Sequence, residues 1–497
     1  MKKKRNIIFI ILFLIIAGGV YYYFTAQDEN TSLTVLDRQW IESNKNNLID
    51  LSIINEVSII NYSGTGIVFD FLNSLEEDTG LTFNKNSFDY GDTTTAEYAI
   101  TVVNEATDND IFLYQDNYAL ITKNNNSYEI DEIKNFKIGV LSTKMEDANK
   151  YLTGSTNVSF VGYDNYEELL EAYDNLDVDA SILPKLPFLD VIIESDDYNI
   201  AYNITEMTED YVISLADEDR LNSILTKYYN NWSSKNLTDS FNNYLSYSYF
   251  NFADTTEKEE VDFRSKRYTY GFVDTLPYDT TLMGSLLGVN SGFIKSFSLI
   301  SGVEINFQKY NNIEELTNAF NSNEIDFYFN NAYTVDYDMD VYNTVSFVDE
   351  DVIILSNNNY NITVNSIYSI TNEKVLTIKN SKVDEYLTKL NIETKQYDDL
   401  ETLIKNIDSD NVIVVDKEIY NYYKTTEFAD MKVDYEFSLD STYSYTLRDI
   451  SDNEVFNEFL DFYLSFVNHE EIINDSYVEL YNIGNKPFIL RMIIITL

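Results

Sequence analysis

Three segments of this chain repeat one pattern at fixed internal spacing, and that repetition limits the fold more than any other feature. They open at Tyr163, Tyr310 and Tyr397 and read YDNYEELLEAYDNLDVDASI, YNNIEELTNAFNSNEIDFYF and YDDLETLIKNIDSDNVIVV. Each begins with Tyr and two Asp/Asn residues, carries Glu at the fourth following position and Leu at the sixth, and reaches Val178, Ile325 or Val412 fifteen positions after its Tyr. Leu169, Ala172 and Tyr173, matched by Leu316, Ala319 and Phe320, recur at i, i+3, i+4 and form one helical stripe, with the Glu residues turned away from it. The pattern predicts strand, turn, helix and strand. Repetition on this scale implies duplicated domains and not a short solenoid repeat.

The flanks extend the duplication. Ile138 to Leu152 lies over Leu376 to Leu390 at an offset of 238, so that Lys144 meets Lys382; SLAD from Ser214 lies over TLRD from Thr446 at an offset of 232. Two bilobed halves follow, at 33–250 and 267–481, joined at 251–266 by a charged linker, DTTEKEEVDFRSK, without apolar periodicity. Within each half short apolar strands alternate with helical segments, which argues for parallel sheets covered by helices. Gly80 and Gly302 each end a helix immediately before an apolar strand. A fourth copy of the Tyr segment, due near Tyr90, is eroded, which marks the first half as the more degenerate one.

The segments GIVFDFLNSLEEDTGLTF, FKIGVLSTKMEDANKYL and FVGYDNYEELLEAYDNLDVDASI, with a second set beginning LPYDTTLMGSLLGVNSGF, resemble the type II periplasmic binding protein fold of family 3 solute-binding proteins. The resemblance covers most of the chain beyond residue 32. It implies an α/β fold of two consecutive bilobed Venus-flytrap modules, as in tandem extracellular sensor regions of bacterial membrane receptors. It does not by itself say what is bound.

MKKKR opens the chain, and residues 6–25 form an apolar run long enough to cross a bilayer. Positive charges stay cytoplasmic, so this reads as a transmembrane helix or uncleaved signal anchor that places the rest of the chain outside the cell. A cleaved signal peptide is the rival reading, with Ala17 and Gly19 near its site. Cysteine is absent, so there is neither a lipid-attachment thiol nor a disulfide framework. The apolar tail at 488–497, FILRMIIITL, is too short to span a membrane; it either starts a second transmembrane helix or packs on the second module.

Lys+Arg 34 against Asp+Glu 83 gives a formal charge of -49, which repels nucleic acid and anionic headgroups. The hydrophobic fraction of 44%, with 42 Tyr and 30 Phe, is enough for packed cores, so the charge belongs to an acidic globular surface. Enzymatic activity has no support: the only histidine, His469, is expected on the solvent face of a helix, and no metal or other cofactor is implied. The run Asp336, Asp338, Asp340 lacks the glycine and terminal Glu of a calcium loop and reads as a solvated acidic loop.

In the resembling family the ligand is held by loops after the first strand, by the N-terminus of the second lobe's first helix and by the crossover region. That resemblance points to Asn61, Tyr62, Ser142 and Thr143 in the first module and to Asp274, Tyr278, Asn330, Thr371, Asn380 and Ser381 in the second. Each is also an ordinary cap or turn residue. The family's carboxylate-binding arginine is missing from both modules, so free α-amino acids are doubtful ligands. A small polar or cationic solute seated among Tyr, Asn and Asp suits the residues better. The resulting expectation is the extracellular small-molecule-sensing region of a membrane-anchored receptor, whose diguanylate cyclase or histidine kinase output domain is not in this chain; a homodimer is compatible with it. The alternatives are a solute-binding component of a transporter and a ligand-free scaffold module.

Overall fold

The computed structural model describes residues 33–496 except 125–127, 129, 131, 153, 156, 217–219, 283, 331–336, 338, 349–350 and 440–442, with side chains as far as 482. The apolar run at 6–25, Asp336 and Asp338 lie outside these residues. Among the described residues no helix is long and apolar enough to cross a membrane.

The first half runs α1 (Val35–Asn44), β1 (Leu48–Asn55), α2 (Ile67–Thr79), β2 (Thr82–Asp89), β3 (Ala99–Val103), β4 (Asp110–Thr122), β5 (Lys137–Leu141), α3 (Met145–Tyr151), β6 (Ser159–Tyr163), α4 (Tyr166–Asp174), β7 (Ala180–Pro184), α5 (Leu189–Glu194), β8 (Asn199–Ser214) and α6 (Arg220–Phe252). β1 pairs in parallel with β2 and β3, and β8 returns antiparallel to β3. β5 pairs in parallel with β6 and β7.

The chain divides into two compact units. One comprises everything to Tyr118 with Pro184–Asp190 and Glu206–Ser248; the other comprises Ala119–Leu183, Val191–Thr205 and everything from Tyr249. In the first unit α2 lays Phe71 against Tyr229 and Trp232 of α6, ring centroids 5.3 and 5.7 Å apart. A buried charge network fills its interior. The Glu209 carboxylate accepts hydrogen bonds from the hydroxyls of Tyr90 (3.0 Å), Tyr118 (2.9 Å) and Tyr211 (2.8 Å), while Asp116 accepts from the Leu186 amide at 2.8 Å. Lys185, 3% exposed, offsets the charge of Asp116.

The second half, all in the other unit, begins with α7 (Glu257–Ser265). The stretch expected to be an unpatterned charged linker is therefore partly helical. Thr256 and Glu259 form a capping box around the helix start, and Phe263 is buried. There follow β9 (Arg267–Val273), β10 (Thr280–Leu282), β11 (Ser285–Leu287), α8 (Val289–Ser301), β12 (Glu304–Tyr310), α9 (Ile313–Asn321), β13 (Phe327–Asn330), β14 (Val341–Asn343), β15 (Asp351–Asn357), β16 (Lys374–Ile378), α10 (Lys382–Lys389), β17 (Thr394–Tyr397), α11 (Leu400–Ile404), β18 (Asn411–Asp416), α12 (Lys417–Tyr423), β19 (Met431–Ser438), β20 (Ser444–Arg448), α13 (Glu454–Phe466) and α14 (His469–Thr496).

Two five-stranded sheets result, ordered β12-β9-β13-β20-β14 and β17-β16-β18-β15-β19. In both, the first of three parallel strands lies between the second and third, and the fourth place is taken by an antiparallel strand. The two sheets thus repeat one topology, each as a lobe.

The Tyr segments occupy equivalent places. Tyr163, Tyr310 and Tyr397 close β6, β12 and β17, and the second Asp/Asn that follows is the helix cap: Asn165, Asn312 and Asp399 accept from the amides of Glu168, Glu315 and Thr402. Leu169, Leu316 and Leu403 are buried, as are Val178, Ile325 and Val412. Close packing is part of the motif, since a Cβ on Gly139 would meet Leu169 at 2.5 Å and one on Gly271 would meet Ile325 at 2.3 Å. Between Asp89 and Ala99 the chain forms no helix, so the fourth copy is indeed lost.

Candidate ligand seat in the second half

The site starts from a glycine. Gly288 has φ 113 and ψ -178, a conformation side chains exclude, and this turns the chain from β11 into α8. The first two amides of α8, on Val289 and Asn290, then donate to the carbonyls of Pro277 (3.0 Å) and Tyr278 (3.2 Å), which pins the loop after β9. Asp279 anchors the loop from beneath, accepting from the Tyr270 hydroxyl at 2.9 Å and Asn290 Nδ2 at 2.8 Å. Burial pushes its carboxyl up to about 7 against the pull of those hydrogen bonds.

What the loop presents is Tyr278. Its ring is 5.2 Å from that of Phe329, it is 1% exposed, and its hydroxyl has no hydrogen-bond partner. Burial, followed by the nearby Asp416, Tyr443, Glu418 and Tyr477, drives the phenol well above its ordinary pKa. The other lobe supplies Asp416 at the end of β18, which accepts from the Tyr443 hydroxyl, and Lys382 at the start of α10. The Lys382 ammonium stands 4.5 Å from the Tyr443 ring centroid and the residue is only 3% exposed. Burial raises the Asp416 carboxyl, while Tyr443 and Lys382 favour its charged form. Asn330 Oδ1 and Ser444 Oγ, opposite each other in the β13–β20 register, are also buried without partners.

Chemically, a buried carboxylate among the rings of Tyr278, Phe329 and Tyr443 suits an ammonium or other small cation. Each unsatisfied buried polar atom costs about 1–3 kcal/mol, and native folds keep such atoms where something else completes them.

The residues expected from sequence fall into distinct settings. Tyr278 lies at the seat, whereas Asn330 ends β13 beside Phe329 with its side chain on the other face of the sheet. Ser381 caps α10 by accepting from the Asp384 amide at 3.1 Å, and Asn380, at φ 61, forms the turn before it. Asp274 is exposed and ion-paired to Lys309. Thr371 sits on an exposed turn and donates to the Tyr368 carbonyl at 2.8 Å. In the first half Asn61 is buried and holds its own loop, donating to the Ile54 carbonyl at 2.7 Å and accepting from the Gly64 amide at 3.1 Å. Tyr62 bridges to Thr65 through the backbone. Ser142 and Thr143 are exposed on a short 3-10 turn. Sequence reasoning missed Asp416, Lys382 and Tyr443. The signal was available for Asp416, the acid that ends the third Tyr segment's closing strand.

His469 departs from expectation. It is half-buried at the first residue of α14, with its ring 5.8 Å from Phe293 and its Nε2 2.5 Å from the Leu464 carbonyl. A neighbouring aromatic pair and a helix-end carbonyl hold it, not solvent. The same helix touches both lobes. Ser476 lies where a Cβ on Gly292 of α8 would be, Glu479 pairs with Lys295 of α8 at 3.0 Å, the Tyr477 hydroxyl donates to Glu418 of α12, and Tyr481 donates to the Tyr422 carbonyl at 2.5 Å.

The first half builds the same loop with different contents. Gly66, at φ 136, lets the amides of Ile67 and Val68 reach the carbonyls of Ile59 and Ile60 at 2.8 and 3.3 Å, so Ile60 stands where Tyr278 stands and Asn61 where Asp279 stands. β7 ends on Pro184 where β18 ends on Asp416. An Asn in the Asp279 position is thus compatible with this loop. Asp279→Asn should stabilise the protein at pH 8 by on the order of 1–3 kcal/mol. The acid's raised pKa gives stability that is full below about pH 4 and lost as pH rises through about 7, and the amide carries no such loss. Urea melts of both proteins at pH 5 and pH 8 check this; the gap should be clearly larger at the higher pH.

A solved structure described as that of VC protein aligns with 86% of this chain and 100% of its own, at 12% identity and a TM-score of 0.50. The likeness is one of fold. This chain shares its α/β architecture, within which two five-stranded sheets repeat one topology. Looser likenesses are found to the periplasmic domain of BvgS from B. pertussis (12% identity, 93% of this chain and 97% of that chain, TM-score 0.37). Another is the substrate-binding protein AbpA from Streptococcus pneumoniae bound to L-arginine (13% identity, 44% and 97%, TM-score 0.38). No protein-family model matches the chain, and no curated protein does either.

Proposed function

We propose that this chain is the extracellular sensory region of a membrane-anchored receptor and that its second module, at 267–481, binds a small cationic or polar solute. The observation that carries the reading is the buried Asp416 among Tyr278, Phe329 and Tyr443, with the Tyr278 hydroxyl left without a partner. The stretch at 327–347, which corresponds to the one carrying the carboxylate-binding arginine in the resembling family, contains none, which argues against a carboxylate as the main recognition handle. The first module, at 33–250, has Ile60 and Pro184 in the corresponding places and serves as a support that need not bind anything.

A route for the signal is consistent with α14. Because that helix is fastened to α8 on one lobe and to α12 on the other, a change in the angle between lobes must strain Tyr477–Glu418 or Lys295–Glu479. A solute that prefers one lobe arrangement would shift the position of the chain's C-terminal helix by population shift.

The test is a thermal-shift screen of the full chain against amines, zwitterions and carboxylic acids. Amines should raise the melting temperature in a concentration-dependent way, and Asp416→Asn should abolish the effect without losing the fold. A response confined to carboxylic acids, or one that Asp416→Asn leaves intact, would refute the assignment.

A further inference from the structure

Lys382 is badly placed for an ordinary structural lysine. It is the first residue of α10, where the positive end of the helix dipole disfavours a cation, and it is buried to 3% exposure, where an ammonium loses its hydration. Among the groups that offset these costs are the Asp416 carboxylate, whose charged form Lys382 favours, and the Tyr443 ring under its ammonium at 4.5 Å. Those same groups are the ones that would recognise a cationic solute. In the first half the residue that aligns with it, Lys144, lies in a partly exposed 3-10 turn ahead of α3. The buried placement belongs to the second module alone.

We propose that Lys382 is a built-in counter-ligand of the second module: its ammonium occupies, beside Asp416 and over Tyr443, the seat of the incoming cation, which must displace it to bind. This rests on the solute-binding reading above and adds a specificity rule to it. A monovalent ammonium no better than the lysine's own gains little, because the lysine is already tethered at high effective concentration. Selected solutes are those that add something the lysine lacks, such as a second polar group reaching the Tyr278 hydroxyl. A side-chain cation in place also keeps the Asp416 charge balanced in the empty module, so emptiness leaves no unpaired buried carboxylate.

The experiment uses the full chain with Lys382→Ala, which deletes three carbons and the ammonium, and propylammonium chloride as the probe that restores them. Calorimetric melting should show Lys382→Ala stabilised by propylammonium, by about 2 °C or more at tens of millimolar, beyond the effect of equal sodium chloride, with the wild type unmoved. Lys382→Met, which keeps the alkyl stem, covers the case in which the alanine variant does not fold; with it the probe is ammonium chloride and the same contrast is expected. Wild type and variant responding alike, or neither variant responding, overturns the proposal. Amines found in the wild-type screen should bind the variants at least tenfold more tightly, whereas weaker binding would make Lys382 a solute anchor and overturn it too. Failure here is separable from failure of the solute-binding reading. Screen hits lost in Asp416→Asn but with no rescue of the Lys382 variants leave that reading standing; rescue with an empty screen would refute it and keep the counter-ligand.

Discussion

Gly288→Ala is expected to be among the most damaging single substitutions in the chain, lowering stability by at least about 3 kcal/mol. Two penalties coincide at this residue. Its φ of 113 with an extended ψ lies outside the space open to a side chain, and a Cβ there would stand 2.3 Å from the Tyr278 carbonyl oxygen and 2.7 Å from that of Pro277. Both contacts are with backbone, so no rotamer change relieves them. The protein that does fold has to move the loop carrying Tyr278, so it should also lose solute binding. Gly284→Ala is the control: φ is 83 but nothing lies within 4 Å of its Cβ, and the cost should be nearer about 1 kcal/mol. Urea melts of the two variants check the contrast, and equal costs would mean that the clash is relieved by some adjustment of the loop.

Lys185→Met is the second large effect, with an expected loss of about 3–5 kcal/mol from the first unit. The substitution preserves the volume of the stem, so the loss is electrostatic. It leaves the carboxyl groups of Asp116 and Glu209 buried together without the cation that offsets Asp116, and one oxygen of Asp116 already lacks a hydrogen-bond partner. Burial first, with Glu209 adding to it and Lys185 opposing, raises the Asp116 carboxyl to about 7. A folded-state pKa raised above the unfolded value gives stability present in acid and lost as pH rises through the folded value. The deficit should therefore be smallest near pH 4 and grow as pH rises towards 7. Lys85→Met, which breaks a half-exposed pair with Glu76, should cost under about 1 kcal/mol at any pH.

Much of the architecture was legible in sequence because local rules carried it. The Tyr segments specify a strand end, an Asx cap, a buried Leu and a following strand within some twenty residues, and all three form as written. Gly80 and Gly302 end their helices at φ 71 and 73, as their position before apolar strands required. The loss of the fourth copy also showed in sequence, since nothing between Asp89 and Ala99 offers a helical stripe. The linker misread had a local remedy: Thr256 with Glu259 is a capping box, masked by an acidic composition that suggested solvent all round.

The seat was less legible for a physical reason. Its members come from elements far apart in sequence: Tyr278 after β9, Lys382 opening α10, Asp416 ending β18 and Tyr443 before β20. Only the antiparallel strands that enter each sheet from elsewhere bring them together, and no short-range periodicity encodes that pairing. Resemblance to a family located the helix start correctly at Ser381 but picked out its cap, whereas the chemistry lies one residue on, in Lys382. Composition misled as well, because among 83 acids a single functional Asp has no statistical signature. Burial narrows the choice without settling it, since Asp416 is one of nine buried acids among the described residues.

The central claim is that Asp416 in the second module receives a cation. Isothermal titration of the full chain with an amine found in the screen, for wild type, Asp416→Asn and Asn61→Ala, tests this most directly. The account predicts one binding event per chain, weakened at least tenfold by Asp416→Asn and unchanged by Asn61→Ala. Binding that survives Asp416→Asn but disappears with the first-module substitution would contradict it.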